Sequence, residues 1–404
     1  MKKSLIALAV LAASGAAMAQ SSVTLYGLVD ANIGSFKTNT AVGAGTAASP
    51  ASIQNLSQTR IESGGLNGSR WGLRMSEDLG GGLAAIANLE SGINLDNGAS
   101  GQGGVLFGRR ANVGLTSSSF GTVVIGRNSS SYDDVAADNA MMGQSIFDPS
   151  QTNNGPATTG LTNLDVAANT FVATPNAANL NALNLAASNT GAAFLGRTTS
   201  WVGFNTRFNN SIKYTSPSFS GFSGSVMYAL GEDKTSAQKA SKSVSANLKY
   251  ANGPLLVSGG YQSEGAAVNQ TNGAKPALEN TLLSVAYDLG VAKIGAGFNR
   301  AKYKAVAANG GDLAAQKEYN LSVAVPLGAA TISAGYAQSK GDDLGKSSGF
   351  GLQALYSLSK RTTLYAGGVS TKNYDNVSSG AKVLFPTSNT ERSTSYAAGV
   401  RHTF

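Results

Sequence analysis

Tyr396-Ala-Ala-Gly-Val-Arg-His-Thr-Phe404 closes the chain, and its alternation decides the fold. Tyr396, Ala398, Val400, His402 and Phe404 share one face of an extended strand; Ser395, Ala397, Gly399, Arg401 and Thr403 share the other. One face is fairly apolar, the other small and polar, and the chain stops on an aromatic ring. A soluble sheet would leave such a strand as an open, aggregation-prone edge. A closed membrane barrel pairs its last strand with its first and turns the apolar face to lipid.

The opposite end reads as an export signal. Lys2 and Lys3 precede a short apolar run from Leu5 to Leu11, and Ala17-Met-Ala19 is a small-x-small cleavage pattern before Gln20. Residues 1–19 are therefore expected to be removed, leaving 20–404 as one barrel domain. No later segment offers the roughly 20 unbroken apolar residues of a membrane helix. Glycine supplies 50 of 404 residues, well above the usual share of about 7%. Mean hydropathy is near zero, as expected when a polar lumen and an apolar exterior average out.

Composition also excludes chemistry. There is no cysteine and one histidine, His402, at the strand end on the lipid-facing side. Thiol catalysis, thiolate metal sites and a Ser–His–acid triad are thereby disfavoured. Gly80-Gly-Gly82 reads as a turn and not as a phosphate cradle. No motif requires a cofactor or a metal; calcium at loop carboxylates stays open, but no motif demands it. The formal charge is +8, without the basic run and interleaved aromatics of a nucleic-acid binder. In an exported barrel, an electropositive lumen that concentrates anions is the more physical reading.

Alternating segments recur along the chain, at 23–34, 69–76, 83–93, 106–116, 122–128, 206–215, 223–230 and 244–250, then at 255–262, 281–287, 292–303, 319–325, 330–338, 350–358, 363–371 and 395–404. The pattern predicts an all-β, transmembrane antiparallel barrel of about sixteen strands, with short turns at one end and long loops at the other. In an outer-membrane barrel the short turns are periplasmic and the long loops extracellular. The first long loop is expected over 35–67 and the third over about 129–205. Tyr214, Tyr228, Tyr250, Tyr261, Tyr287, Tyr336 and Tyr356 fall near strand ends as candidate aromatic girdles. A barrel of this size leaves a lumen too wide for side chains to fill.

Several segments taken in order resemble the general porins of β-proteobacteria. They are Ser22-Val-Thr-Leu-Tyr-Gly-Leu-Val-Asp30, Ser69-Arg-Trp-Gly-Leu-Arg-Met-Ser-Glu-Asp-Leu-Gly-Gly-Gly-Leu83, Arg109-Arg110, Phe120-Gly-Thr-Val-Val-Ile-Gly-Arg127, Asn210-Ser-Ile-Lys-Tyr-Thr-Ser-Pro217 and Gly399-Val-Arg-His-Thr-Phe404. The resemblance implies a sixteen-stranded, homotrimeric, water-filled outer-membrane channel, often anion-selective, whose third long loop folds into the lumen. It implies a terminal Phe404 read by the outer-membrane assembly machinery, contact with outer-membrane lipid and lipopolysaccharide, and small ions and hydrophilic solutes as the cargo. No nucleic-acid partner is implied.

Carried over residue by residue, the resemblance puts the basic side of a constriction on Arg70, Arg109 and Arg207, and its acids on Glu90, Asp133 and Asp134, with Asp138 nearby. Alternation alone turns Arg70, Arg207 and Glu90 inward, and adds Arg74 and Lys213 on the same wall. At the fourth strand it turns Arg110 inward, not Arg109; both stay candidates. Arg127 has outward parity at a strand end, which suits a rim or subunit contact. Phe208 is expected on the face of Ile212 and Tyr214. A guanidinium keeps its charge and planar shape, so a ring of arginines lowers the barrier for anions and raises it for cations. The reading is a passive diffusion channel without enzymatic chemistry. The alternatives are a substrate-specific channel, which Trp71 and Trp201 alone do little to support, and a barrel serving surface adhesion. Within the long stretch 151–196, Asn179-Leu-Asn-Ala-Leu-Asn-Leu-Ala186 is open between a short helix and a loose extended stretch, and the loop is open between narrowing the pore further and covering it from outside.

Overall fold

The structure is a computed structural model and describes residues 21–42, 52–150, 200–236, 238–265, 268–269, 275–305, 311–372, 374–375 and 392–404. The expected signal segment and the stretch 151–196 lie outside these residues.

The strands in chain order are β1 Ser22–Val42, β2 Ser52–Ser63, β3 Arg70–Gly80, β4 Leu83–Gly92, β5 Arg110–Ser117, β6 Gly121–Ser129, β7 Arg207–Thr215, β8 Phe222–Leu230, β9 Gln238–Lys239 and β10 Lys242–Asn252. They continue as β11 Leu255–Gly265, β12 Val268–Asn269, β13 Ala277–Asp288, β14 Lys293–Lys304, β15 Gln316–Leu327, β16 Ala330–Gly341, β17 Gly345–Ser357, β18 Thr362–Lys372 and β19 Arg392–Thr403. Seventeen of them form one antiparallel sheet, and β9 pairs with β12 in a separate two-stranded ribbon. β1 pairs with β19 from Leu28↔Thr403 to Lys37↔Thr394, which closes the ring. Phe404 N donates to Gly27 O at 3.0 Å and Gly27 N to Phe404 O at 3.2 Å, so pairing runs to the last residue. Hydrocarbon offers an unpaired amide no partner, and closure removes the edge.

The sheet has sixteen strand positions because β2 and β3 occupy one. β2 pairs with the outer half of β1, Ala31–Val42, and β3 with its inner half, Ser22–Leu28. Between them residues 64–69 leave the wall. The expected long first loop over 35–67 is therefore mostly a hairpin of β1 and β2. The connection between β16 and β17 is likewise short, with Gly341 paired to Gly345, where the alternation had left a longer gap. In these extensions the outer face turns polar, with Lys37, Ser57, Lys340 and Lys346 exposed, so the period-two contrast fades. The candidate segment 106–116 also starts late: β5 begins at Arg110.

Across the lipid zone the two faces differ sharply. Outward residues such as Val23, Leu25, Val113, Leu115, Leu248, Leu283, Leu321 and Leu352 are exposed apolar side chains. Inward residues on the same strands are small or polar and buried, among them Ser245, Ser284, Asn299, Ser322 and Gln353. Tyr214, Tyr228, Tyr261, Tyr287, Tyr336 and Tyr356 are exposed on the outer surface, and the Tyr250 ring packs 4.5 Å from that of Phe222. The β3–β4 turn is tight because Gly80, Gly81 and Gly82 all take positive φ (83°, 61° and 77°).

One parity expectation is overturned. Phe208 is fully buried against Met227 and Ala229, on the inner face, and not beside the outward Ile212 and Tyr214. Asn210 sits at φ 49°, and the β6–β7 register shifts between Gly126 and Asn128. That bulge inserts a residue and inverts the parity beyond it, so the alternation that turned Arg207 inward no longer holds for Arg207 either.

Candidate functional site

One row of the inner wall runs through Tyr26, Gly72, Glu90 and Arg110, which are successive cross-strand partners on β1, β3, β4 and β5. Gly72 has no side chain, so the Tyr26 ring extends over β3 and donates to Glu90 Oε2 at 2.8 Å; a Cβ at Gly72 would meet that ring. Arg109 Nε donates to the other Glu90 oxygen at 2.7 Å in a largely buried ion pair. The Arg74 guanidinium lies 4.0 Å over the Tyr26 ring, a cation–π contact that holds it upright in the lumen. Arg70 donates to Gly68 O at 3.2 Å and shares its electrostatic surroundings with Arg109, Arg110 and Glu90.

Arg109 and Arg110 are thus both at this wall. Arg110 faces Glu90 across the strand pair and reaches Ser129 Oγ at 3.3 Å. Arg109 precedes β5, so alternation does not constrain it, and its backbone N–H donates to Glu90 O at 3.1 Å. Arg207 begins β7 beyond the Asn210 bulge. It bonds Thr206 Oγ1 at 2.9 Å and lies in the electrostatic neighbourhood of Arg109, Asp133, Glu90 and Arg127. Arg127 turns to its own chain, donating to Gly108 O at 2.6 Å and to Asn209 Oδ1 at 2.5 Å. Below the arginines a polar ladder crosses four strands: Asn88 to Asn112 at 3.0 Å, Asn112 to Asn128 at 2.6 Å, and Asn128 to Ser211 Oγ at 2.9 Å.

The third loop starts after Ser129, and its described parts, 130–150 and 200–206, lie against the inner wall. Tyr132 N donates to Ser245 Oγ at 2.7 Å and its hydroxyl to Asn299 Oδ1 at 3.0 Å. Asn139 bonds Ser284, Met141 N bonds Ser322, and Ser145 bonds Gln353. The loop therefore follows the wall from β10 across to β17. Its path is cut into the sheet by glycine: a Cβ at Gly260, Gly295, Gly335, Gly351 or Gly367 would meet Tyr132, Asn139, Met142 or Phe147 of the loop. Burial raises the Tyr132 phenol well above its ordinary pKa and raises the Asp148 carboxyl as well, the latter opposed by hydrogen bonds from Ser150.

The loop acids meet lysines of the wall. Lys213 Nζ lies 2.6 Å from Asp134 Oδ2 and donates to Ser129 O at 3.1 Å. Lys249 Nζ lies 2.9 Å from Asp138 Oδ1. Lys249 escaped the sequence reading because it looks like any inward strand residue until the loop is laid over it. Asp30 escaped too. Its carboxylate accepts from the amides of Gly65, Leu66 and Asn67 at 3.1, 2.8 and 2.8 Å, and from the Tyr365 hydroxyl at 2.5 Å. It thereby fixes segment 64–69 inside the barrel, where Ile146 N of the third loop donates to Gly65 O at 2.8 Å. The inward parity of Asp30 was the one available signal.

Chemically, this wall concentrates guanidinium groups around the buried Glu90 while the nearest loop acids are occupied. His402 is exposed at the outer surface, its ring within 2.9 Å of Thr362 Oγ1. Among the described residues no three His, Asp or Glu side chains converge on a metal position.

The profile of the Gram-negative porin family matches residues 5–376. The chain belongs to this family. An outer membrane porin protein of Bordetella pertussis is 30% identical over the full length of both chains, and outer membrane porin protein 32 of Delftia acidovorans is 34% identical, also over both full lengths. Among solved structures, an anion-selective porin from Comamonas acidovorans is 26% identical, with a TM-score of 0.66 over 95% of this chain and 100% of that one. OmpF of Salmonella typhi, at 14% identity and a TM-score of 0.57 over 95% and 97% of the two chains, shares the fold. The porin is thus an outer-membrane β-barrel, and its relatives are channels rather than enzymes.

Proposed function

We propose that this porin is a general-diffusion channel for small hydrophilic solutes and ions, with a preference for anions set by Arg70, Arg74, Arg109, Arg110 and Arg207. The supporting observation is the crowding of these guanidinium groups about one carboxylate, Glu90, while Asp134 and Asp138 are paired with Lys213 and Lys249. The wall then carries net positive charge, and a low-dielectric rim focuses it into the passage. The Comamonas relative being an anion-selective porin supports the same reading.

In this reading residues 1–19 are a cleaved export signal, three copies assemble into the working unit, and Phe404 is the recognition residue for outer-membrane assembly. Asp133 belongs to the acidic side of the constriction, facing Arg207.

The test is a planar-bilayer recording under a salt gradient. The wild type is expected to give a zero-current potential of the sign for anion preference, and Arg70→Gln with Arg109→Gln to move it toward zero. A cation-preferring wild type, or unchanged selectivity in the variant, overturns the assignment.

A further inference from the structure

The seam of the barrel carries one more inward cation, Arg401 on β19. It stands opposite Asp30 on β1 and Thr363 on β18, both buried on the inner face. Its chain neighbours Val400 and His402 are exposed on the outer face. Arg401 itself is half-buried, so the accessible part of its side chain meets the lumen.

Its partners are neutral. Nη1 donates to Asn67 Oδ1 at 2.7 Å and Nη2 to Thr363 Oγ1 at 3.4 Å. The Asp30 carboxylate, although on the opposed residue, is engaged by the amides of segment 64–69 and by Tyr365. Among the described residues no carboxylate lies within ion-pair distance of Arg401.

The inserted segment joins Arg401 to the arginine cluster. Asn67 holds Arg401, and the next residue, Gly68, accepts from Arg70 through its carbonyl at 3.2 Å. A Cβ at Gly68 would meet the Arg109 guanidinium. Two consecutive residues thus lie against three guanidinium groups, and segment 64–69 has no charged side chain to neutralise them. The wall beyond the seam is different. On β13–β18 the one inward cation among the described residues is Lys293, and Asp288 pairs with it at 3.1 Å. Arg401 is where the cationic arc of the wall begins.

We propose that Arg401 is a further specificity-determining residue of the channel, extending its cationic constriction across the seam to β19. The inference rests on the channel reading above. A unit charge about 10 Å from a passing ion in water changes that ion's local concentration by about twofold, in opposite senses for anions and cations. The effect weakens with salt, because the Debye length falls from about 10 Å at 0.1 M to about 3 Å at 1 M.

The experiment measures zero-current potentials of the full-length porin in planar bilayers, under salt gradients centred near these two concentrations. Arg401→Gln is expected to lower the anion-to-cation permeability ratio about two- to fourfold at the lower salt and far less at the higher. Asn67→Ala breaks the same hydrogen bond but keeps the charge, and is expected to keep the wild-type ratio. The chain has no cysteine, so Arg401→Cys carries a unique thiol. In the folded channel a cationic methanethiosulfonate reagent is expected to return its ratio toward wild type, and an anionic one to move it further toward cations. Heat-modifiable gel mobility certifies that each variant is folded, and the two reagents compare opposite charges on one folded protein. An Arg401→Gln ratio equal to wild type overturns the proposal. So does an equal change in Asn67→Ala, which would mark Arg401 as a brace for segment 64–69, and so does a thiol that reacts with neither reagent or reacts without effect. Failure of the channel reading shows separately, as a cation-preferring wild type or an unresponsive Arg70→Gln/Arg109→Gln variant in the same series.

Discussion

The Tyr365 hydroxyl donates to Asp30 Oδ1 at 2.5 Å by lying across the bare backbone of Gly399. Tyr365 belongs to β18, Gly399 to β19 and Asp30 to β1, so one hydrogen bond spans the seam where the chain's end meets its beginning. On the outer face the Phe404 ring covers Gly27 in the same manner. Each glycine leaves the gap that an aromatic ring from elsewhere in the sequence fills.

Tyr365→Phe removes one hydrogen bond to a buried carboxylate, worth about 1.5–3 kcal/mol. The expected outcome is a lower transition temperature for the folded band in heat-modifiability gels, with conductance unchanged. Asp30→Ala loses four acceptor contacts at once and is expected to lower the transition further and to loosen segment 64–69, read as faster proteolysis there.

Gly351→Val places a side chain where the Phe147 carbonyl lies. The third loop must lift from the wall into the lumen. Single-channel recording is expected to show a smaller and noisier conductance, with barrel stability nearly unchanged because the wall pairing is intact.

Asp134→Asn with Asp138→Asn unpairs Lys213 and Lys249 without touching the barrel. Partly exposed pairs of this kind contribute about 0–1 kcal/mol each, so the thermal transition should barely move. The two freed lysines should raise anion preference in a salt gradient. Unchanged selectivity would show that these acids do not act on the pore field.

Burial raises the Asp148 carboxyl above its ordinary pKa. A raised carboxyl stabilises the fold below its unfolded value, and that contribution is lost as pH rises through the folded value. The base of the third loop is therefore firmer in acid than at neutrality. Open-channel noise is expected to fall as pH is lowered from 7 toward 4. Asp148→Asn keeps an acceptor for the Ser150 amide and hydroxyl, at 2.9 and 2.8 Å, and is expected to abolish that pH dependence.

Particular residues show how far the sequence reaches. The period-two contrast in Tyr396–Phe404 placed that strand's faces correctly, because lipid on one side and water on the other impose opposite demands on neighbouring residues. The same contrast misplaced Phe208, since a bulge at Asn210 costs no visible pattern. It also missed the outer part of β1 and the whole of β2, where the outer face is no longer apolar.

What the sequence determined by itself is the barrel: most of its strands and their outward face, which follow from a local rule repeated every second residue, its closure, which hydrocarbon demands of any spanning sheet, and its family, which follows from the motifs it shares with that family. What only the tertiary structure decided is which groups meet. Tyr26 reaches Glu90 across 64 residues, Tyr365 reaches Asp30 across 335, and the third loop settles in a glycine track drawn from separate strands. Those contacts depend on register and on missing side chains at third positions, so they exist only once the sheet has closed.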